Sequence, residues 1–176
     1  MMESPGVMSD MKIPISSLHH FCSEAMTRSG MNGDDAKTVA DVLTTNDAWG
    51  IHSHGVLSLR QYLNRIRGGG VNARARPRVV KEGPGWALID ADNALGMISS
   101  CHAMRTAIMK ARKQGIAYAG VRNSFHSGAA GYYANLAPAE NMIGIAMSNT
   151  NANMAATGSR ARILGNNPIA YAVPAG

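Results

Sequence analysis

The spacing of the apolar residues changes once along this chain, and that change limits the folds open to it. Up to Arg67 the apolar residues recur at helical intervals; beyond Pro77 short alternating runs, bounded by turn residues, join the helical stretches. A 3.6-residue stripe buries one face of a helix, whereas a two-residue alternation buries one face of a strand. The break lies between Gly68-Gly69-Gly70 and Pro77, residue types that stop helices. The chain therefore divides into a disordered leader over 1–10, a helical domain over 11–76 and an α/β domain over 77–176.

In the first domain, Ser16 or Ser17 can cap a helix carrying Leu18, Phe21, Cys22, Ala25 and Met26 on one stripe, with Gly30 as its stop. A second helix begins at Asn32-Gly33-Asp34 and packs through Val39, Val42 and Leu43. A third is predicted from Ser53 to Arg67, with Val56, Leu59, Leu63 and Ile66 inward. In the second domain, Arg78–Lys81 and Trp86–Asp90 form a hairpin around Gly83-Pro84-Gly85. A helix over 96–113 follows, then a strand over 116–121, a short helix over 128–137, and strands over 142–148 and 169–173. Strands alternating with helices give an α/β layer structure.

The chain has 176 residues, 45% of them hydrophobic, which suffices for a proper core. Its net charge of +6 admits nucleic acid, an anionic membrane surface or a small anionic ligand as partner. The densest basic stretch, Arg74 to Lys81, has no interleaved aromatic residue to stack on bases, so nucleic acid is not expected. That stretch reads either as a solvated face or as a general attraction for acidic substrates. No apolar run approaches the roughly 20 residues of a membrane helix, and no signal peptide is seen at the N-terminus. Cys22 and Cys101 stand far apart, each within a helical stretch. Both read as reduced, buried thiols, which suits a cytoplasmic protein.

Neither GxGxxG nor GxxxxGK[ST] occurs, so a dinucleotide would not be held by the usual Rossmann turn. His52 and His54 lack the cysteine or carboxylate cluster that would complete a metal site. Of six histidines, His54 and His126 stand out, each at a junction between elements: His54 in Ser53-His54-Gly55, and His126 in Asn123-Ser124-Phe125-His126-Ser127-Gly128. Loops at strand ends collect ligands in α/β folds, and histidine titrates near neutrality. On a continuous third helix, Ser58 and Tyr62 follow His54 by four and eight residues and share its face. The same turn also reads as a helix cap carrying a surface histidine, and spacing does not choose between the two.

Several blocks in order carry a resemblance: Asp47-x-x-Gly50-x-x-Ser53-His54-Gly55, Tyr62, Asp90-x-Asp92-Asn93-x-x-Gly96, Asn123-Ser124-x-His126-x-Gly128-Ala129-Ala130-Gly131-Tyr132-Tyr133, Ser148-Asn149-Thr150 and Leu164-Gly165-x-Asn167-Pro168. Through them the chain resembles the malate/L-lactate dehydrogenase family of NAD(P)-dependent oxidoreductases, which includes ureidoglycolate, sulfolactate and diketogulonate dehydrogenases. The resemblance covers the N-terminal portion of that family. It implies an α/β (α+β) fold: a helical domain followed by part of a non-Rossmann, mixed-sheet domain that binds the cofactor. It further implies a homodimer, NAD or NADP as cofactor, and a small anionic 2-hydroxy or 2-oxo acid as substrate.

The resemblance also implies roles. His126 is the acid/base, with His54, Ser53 and Tyr62 completing the catalytic set. Thr150, Asn149, Gly165, Asn167 and Pro168 approach the cofactor. Ser58 stands where the family carries an arginine suited to a substrate carboxylate, and Arg60 lies two residues on; both are assigned to the substrate side. Pro138 falls where the family continues a helix and is expected to shorten it by a turn. Family members are substantially longer, which leaves a second expectation: a truncated, catalytically incompetent chain that acts by associating with a full-length subunit.

Overall fold

The computed structural model describes residues 12–175; the leader expected over 1–10 lies outside them. Helix α1, Ile15–Arg28, opens after Pro14 with no side-chain cap, so neither Ser16 nor Ser17 caps it. The fixed φ of Pro14 and its carbonyl, which accepts from the Ser17 and Leu18 amides, start the helix instead. Cys22 and Met26 are buried as expected, whereas Phe21 is exposed. Helix α2, Gly33–Ala48, begins where predicted, because the Asn32 side chain accepts from the Asp34 and Asp35 amides.

The third helix departs from expectation. In place of one helix from Ser53, two 3-10 turns (His52–His54 and Val56–Ser58) precede α3, Leu59–Arg67. Gly55 between them is extended, with φ −93° and ψ −151°. Its conformation is held from outside: the buried-side carboxylate of Asp47 accepts from the Val56 amide at 2.8 Å and fills the space a Gly55 side chain would occupy. A tertiary contact has overridden helical spacing here, so His54, Ser58 and Tyr62 do not share one helical face.

Strands β1, Arg78–Gly83, and β2, Trp86–Ala94, form the predicted hairpin, and β2 pairs in parallel with β3, Tyr118–Ser124. Between them runs α4, Gly96–Gln114, ended by Gly115 at φ +81°. Strand β3 starts two residues later than expected and runs to Ser124. Helix α5 is only Ala130–Ala134, shorter at both ends than the helix expected over 128–137, and a 3-10 turn begins at Pro138. Strands β4, Gly144–Met147, and β7, Ile169–Ala172, pair antiparallel, and the unpredicted short strands β5, Met154–Ala155, and β6, Arg162–Leu164, pair with each other. The architecture is mixed α/β with small mixed sheets.

One core joins these parts. Met26, Val39, Val42, Leu43 and Tyr62 of the helical segment pack with Ala91, Leu95, Met97, Cys101 and Tyr133. Fully burying each large apolar side chain stabilises the fold by about 1.5–3 kcal/mol. Gly144 lets β4 approach α5: a Cβ there would stand 2.9 Å from the carbonyl carbon of Ala134. The outward face of β4–β7 carries Ile145, Met147, Ile169 and Tyr171, all exposed, in the cross-strand pairs Ile145–Tyr171 and Met147–Ile169.

Candidate active site

The end of β2 builds the platform for His126. Asp90 accepts from the Asp92 amide, the Asn123 amide group and the Arg122 guanidinium, each at 3.0 Å. Those donors, the Asp92 amide first, hold its carboxyl below the usual range. Asp92, Asn93 and Asn123 all adopt positive φ, conformations that Asn and Asp tolerate best among residues with a side chain. The regular β2–β3 ladder is interrupted there, and the chain leaves β3 as the His126 loop. Phe125 donates to Ala94 O at 3.0 Å, and Gly96 donates to His126 O at 3.2 Å. Gly96 permits this approach, since a Cβ on it would lie 2.7 Å from Cα of Ser127. Buried Tyr133 donates its hydroxyl to Ser127 O.

His126 meets residues of the helical segment across this platform. Its Nδ1 lies 2.8 Å from Tyr62 Oη and 3.3 Å from the Gly128 amide nitrogen. A backbone N–H can only donate, so Nδ1 is the acceptor and the neutral ring carries its proton on Nε2. Tyr62 then donates its hydroxyl to the same nitrogen. The His54 ring stacks on His126 with centroids 5.8 Å apart and planes inclined by 27°. Ser53 Oγ is 2.9 Å from His54 Nδ1. The four residues expected to be catalytic, His126, His54, Ser53 and Tyr62, thus form one chain of contacts.

The electrostatics are those of a sheltered pair. His126 is exposed over much of its surface, yet its Nδ1 edge is covered. Burial first, and the neighbouring charge of His54 second, lower its pKa. Burial pushes the Tyr62 hydroxyl up to about 12 against a smaller lowering by the neighbouring Ser58 hydroxyl. Tyr62 therefore stays protonated near neutral pH and serves as a fixed hydroxyl donor. The arrangement offers a neutral imidazole whose Nε2–H can donate to a nearby oxygen, beside a second imidazole and a hydroxyl.

The expected substrate-side residues lie on α3 and in the turn just before it. Ser58 donates its hydroxyl to Ser53 O at 3.0 Å, bracing the turn, and Arg60 is exposed on α3. The expected cofactor residues converge in a second cluster. Thr150 donates its amide to Asn167 Oδ1 at 2.9 Å and its hydroxyl to Asn166 Oδ1 at 3.1 Å. Ser148 donates to Pro168 O at 3.1 Å, and a Cβ on Gly165 would stand 2.5 Å from Thr150 O. Asn149 is exposed next to Thr150. This polar, solvent-facing loop pair is suited to bonding the amide and hydroxyl groups of a nucleotide. Among the described residues no group of three or more metal-ligating side chains occurs, and no helix is long and apolar enough to cross a membrane.

Asp47 and Asn46 escaped the sequence reading as builders of the site. Asp47 binds the Val56 amide and the His52 ring, 3.0 Å away. One signal did point to it: an acidic residue in the last turn of a helix faces the negative end of the helix dipole, so its partner has to come from elsewhere.

Comparison with known proteins converges on one family. The sequence pattern described as malate/L-lactate dehydrogenase matches residues 13–176. The chain is 47% identical over 163 residues to a malate dehydrogenase of Pyrococcus abyssi, covering 93% of this chain and 45% of that protein. It is 36% identical over 164 residues to a ureidoglycolate dehydrogenase (NAD(+)) of Escherichia coli K12, covering 93% and 47%. The solved malate dehydrogenase of Pyrococcus horikoshii OT3 superimposes with a TM-score of 0.91 at 44% identity, covering 99% of this chain and 50% of that one. The chain spans about half the length of the curated relatives it matches.

Proposed function

The chain belongs to the malate/L-lactate dehydrogenase family, and from that premise we propose that it serves an NAD(P)-dependent oxidoreductase acting on a small 2-hydroxy or 2-oxo acid of the malate, lactate or ureidoglycolate kind. The observation that carries this reading is the stacked His54–His126 pair, with Tyr62 and Gly128 donating to His126 Nδ1. The malate and ureidoglycolate dehydrogenases among its relatives act on 2-hydroxy acids and support the substrate class.

In this reading His126 is the catalytic acid/base. When the 2-oxo acid is reduced, its oxygen gains negative charge, and the imidazolium form of His126 supplies the proton from Nε2 and returns to the neutral ring; in the reverse direction the neutral ring takes up the hydroxyl proton at Nε2 and becomes the imidazolium. The nicotinamide, when bound, supplies or accepts the hydride. Tyr62 orients the ring through its bond to Nδ1. Ser53 and His54 orient the substrate, and Ser58 and Arg60 border its carboxylate side. Thr150, Asn149, Gly165, Asn167 and Pro168 would contact the cofactor. We place the enzyme in the cytoplasm as a homodimer.

Turnover is followed by nicotinamide absorbance with malate, lactate and ureidoglycolate, using NAD and NADP in turn. His126→Gln is expected to lower kcat by about 10²–10⁴-fold. Wild-type turnover in His126→Gln would remove His126 from the chemistry. A second reading is favoured by the exposed apolar face of β4–β7. In it, the 176-residue chain is inactive alone and acts by association with a full-length subunit. Absence of NADH and NADPH binding by the chain alone, restored on mixing with a full-length relative, distinguishes this reading from the first.

A further inference from the structure

Beneath the two histidines lies a residue with no part in the chemistry described so far. Asn46, in the last turn of α2, is fully buried. Its Nδ2 donates to the His54 carbonyl oxygen at 3.0 Å. Its main-chain carbonyl accepts from the Ile51 amide at 2.8 Å, fixing the chain as it leaves the helix towards Ser53. The same side chain underlies the other junction. Nδ2 lies 3.6 Å from where a Cβ on Gly128 would stand, and the Gly128 amide is one of the two donors to His126 Nδ1.

The cost of this placement is visible in the same side chain. Oδ1 of Asn46 is buried without a hydrogen-bond partner among the described residues. An amide whose oxygen is left unpaired stabilises a core less than a leucine of similar volume does. Core stability is therefore not what the side chain supplies. It supplies one directional bond, to the main chain of His54, from a rigid helix that also packs against the Gly128 turn.

We infer that Asn46 is a positioning residue that sets the His54 ring in register with His126. The inference rests on the reading of those two histidines as the working pair. Among the described residues no hydrogen bond joins Asn46 to either ring; it acts through the His54 carbonyl on one side and the Gly128 turn on the other. Asp47, its neighbour, completes the brace by holding the Val56 amide on the far side of Gly55.

The test compares Asn46→Leu with Thr44→Val. Thr44 is also buried on α2, and its hydroxyl donates to Ala40 O at 2.8 Å, so its loss perturbs the same helix without touching His54. The imidazoles are labelled with 15N and titrated, with His54→Gln and His126→Gln assigning the signals. In Asn46→Leu the His126 midpoint is expected to move up towards the ordinary histidine range, because His54 and the cover it provides are displaced; in Thr44→Val it is expected to stay where it is. Turnover in Asn46→Leu is expected to fall by up to about 10²-fold, with KM for the cofactor retained. Equal titration shifts in both variants, or a wild-type curve in Asn46→Leu, would overturn the assignment.

If Asn46→Leu does not fold, the wild-type protein decides the matter. A scalar coupling across the Asn46 Nδ2–H···O=C His54 bond is expected, and its absence overturns the proposal. The ring titrations do not depend on activity. A fully active His126→Gln together with uncoupled rings in Asn46→Leu would therefore reject the catalytic reading and leave the positioning role in place.

Discussion

Replacing Gly96 with alanine probes the joint that carries His126. An added Cβ would stand 2.7 Å from both Cα and Cβ of Ser127 and would overlap the Phe125 carbonyl oxygen. Carbon–carbon contact is comfortable from about 3.5 Å, so the loop on either side of His126 must retreat by roughly 0.8 Å. Most of the opposing atoms are backbone, which no rotamer change relieves. Overpacking of this kind costs about 1–3 kcal/mol, and weakening the Gly96-to-His126 main-chain bond, 3.2 Å long, adds about 1 kcal/mol. Alanine's better helix propensity returns at most about 1 kcal/mol, so the overlap wins. At about 2–4 °C per kcal/mol for a chain of this size, Tm should fall by roughly 2–16 °C. The His126 imidazole resonances should shift, and catalysis, where measured, should drop by about 10²-fold. Gly131→Ala is the matched control, because no neighbour lies within 4 Å of its would-be Cβ and it sits in α5. That variant should gain about 0.5–1 kcal/mol. Should the two variants melt together with His126 unmoved, the close approach at Gly96 is not what positions the loop.

Other perturbations read different parts of the structure. Tyr62→Phe removes one of two donors to His126 Nδ1 and should lower the unfolding free energy by about 1 kcal/mol in denaturant titration; a loss indistinguishable from zero would mean the bond is not formed. His126 holds a proton less readily folded than unfolded, where its pKa is 6.5. The unfolded state thus binds more protons between the two values, and stability should decline as pH falls from about 7 towards the lowered folded pKa, then level off. His126→Gln should lack that slope, as unfolding curves at several pH values will show. Burial pushes the Cys22 and Cys101 thiols up to about 11. A thiol reagent at pH 8 should therefore label neither in the native protein and both after denaturation.

The local chemistry of the chain determined its elements wherever a boundary depends on near neighbours. Asn32 starts α2 because its side chain reaches amides two and three residues on, and Gly115 ends α4 because it accepts positive φ. The Gly83-Pro84-Gly85 turn is equally short-range. The family motifs were legible too, with both histidines standing at junctions. Tertiary structure decided what those junctions do. The helical spacing over 53–67 gave way to two 3-10 turns because Asp47, outside the segment, supplies an acceptor stronger than the next helical carbonyl. The Tyr62–His126 bond joins residues 64 positions apart, and no periodicity encodes it; it exists because α3 and the loop after β3 close over one shared core. Asn46 reads in the sequence as an ordinary polar residue near a helix end. Only the fold buries it beneath both histidine loops, where a single amide can bond to one of them and pack against the other.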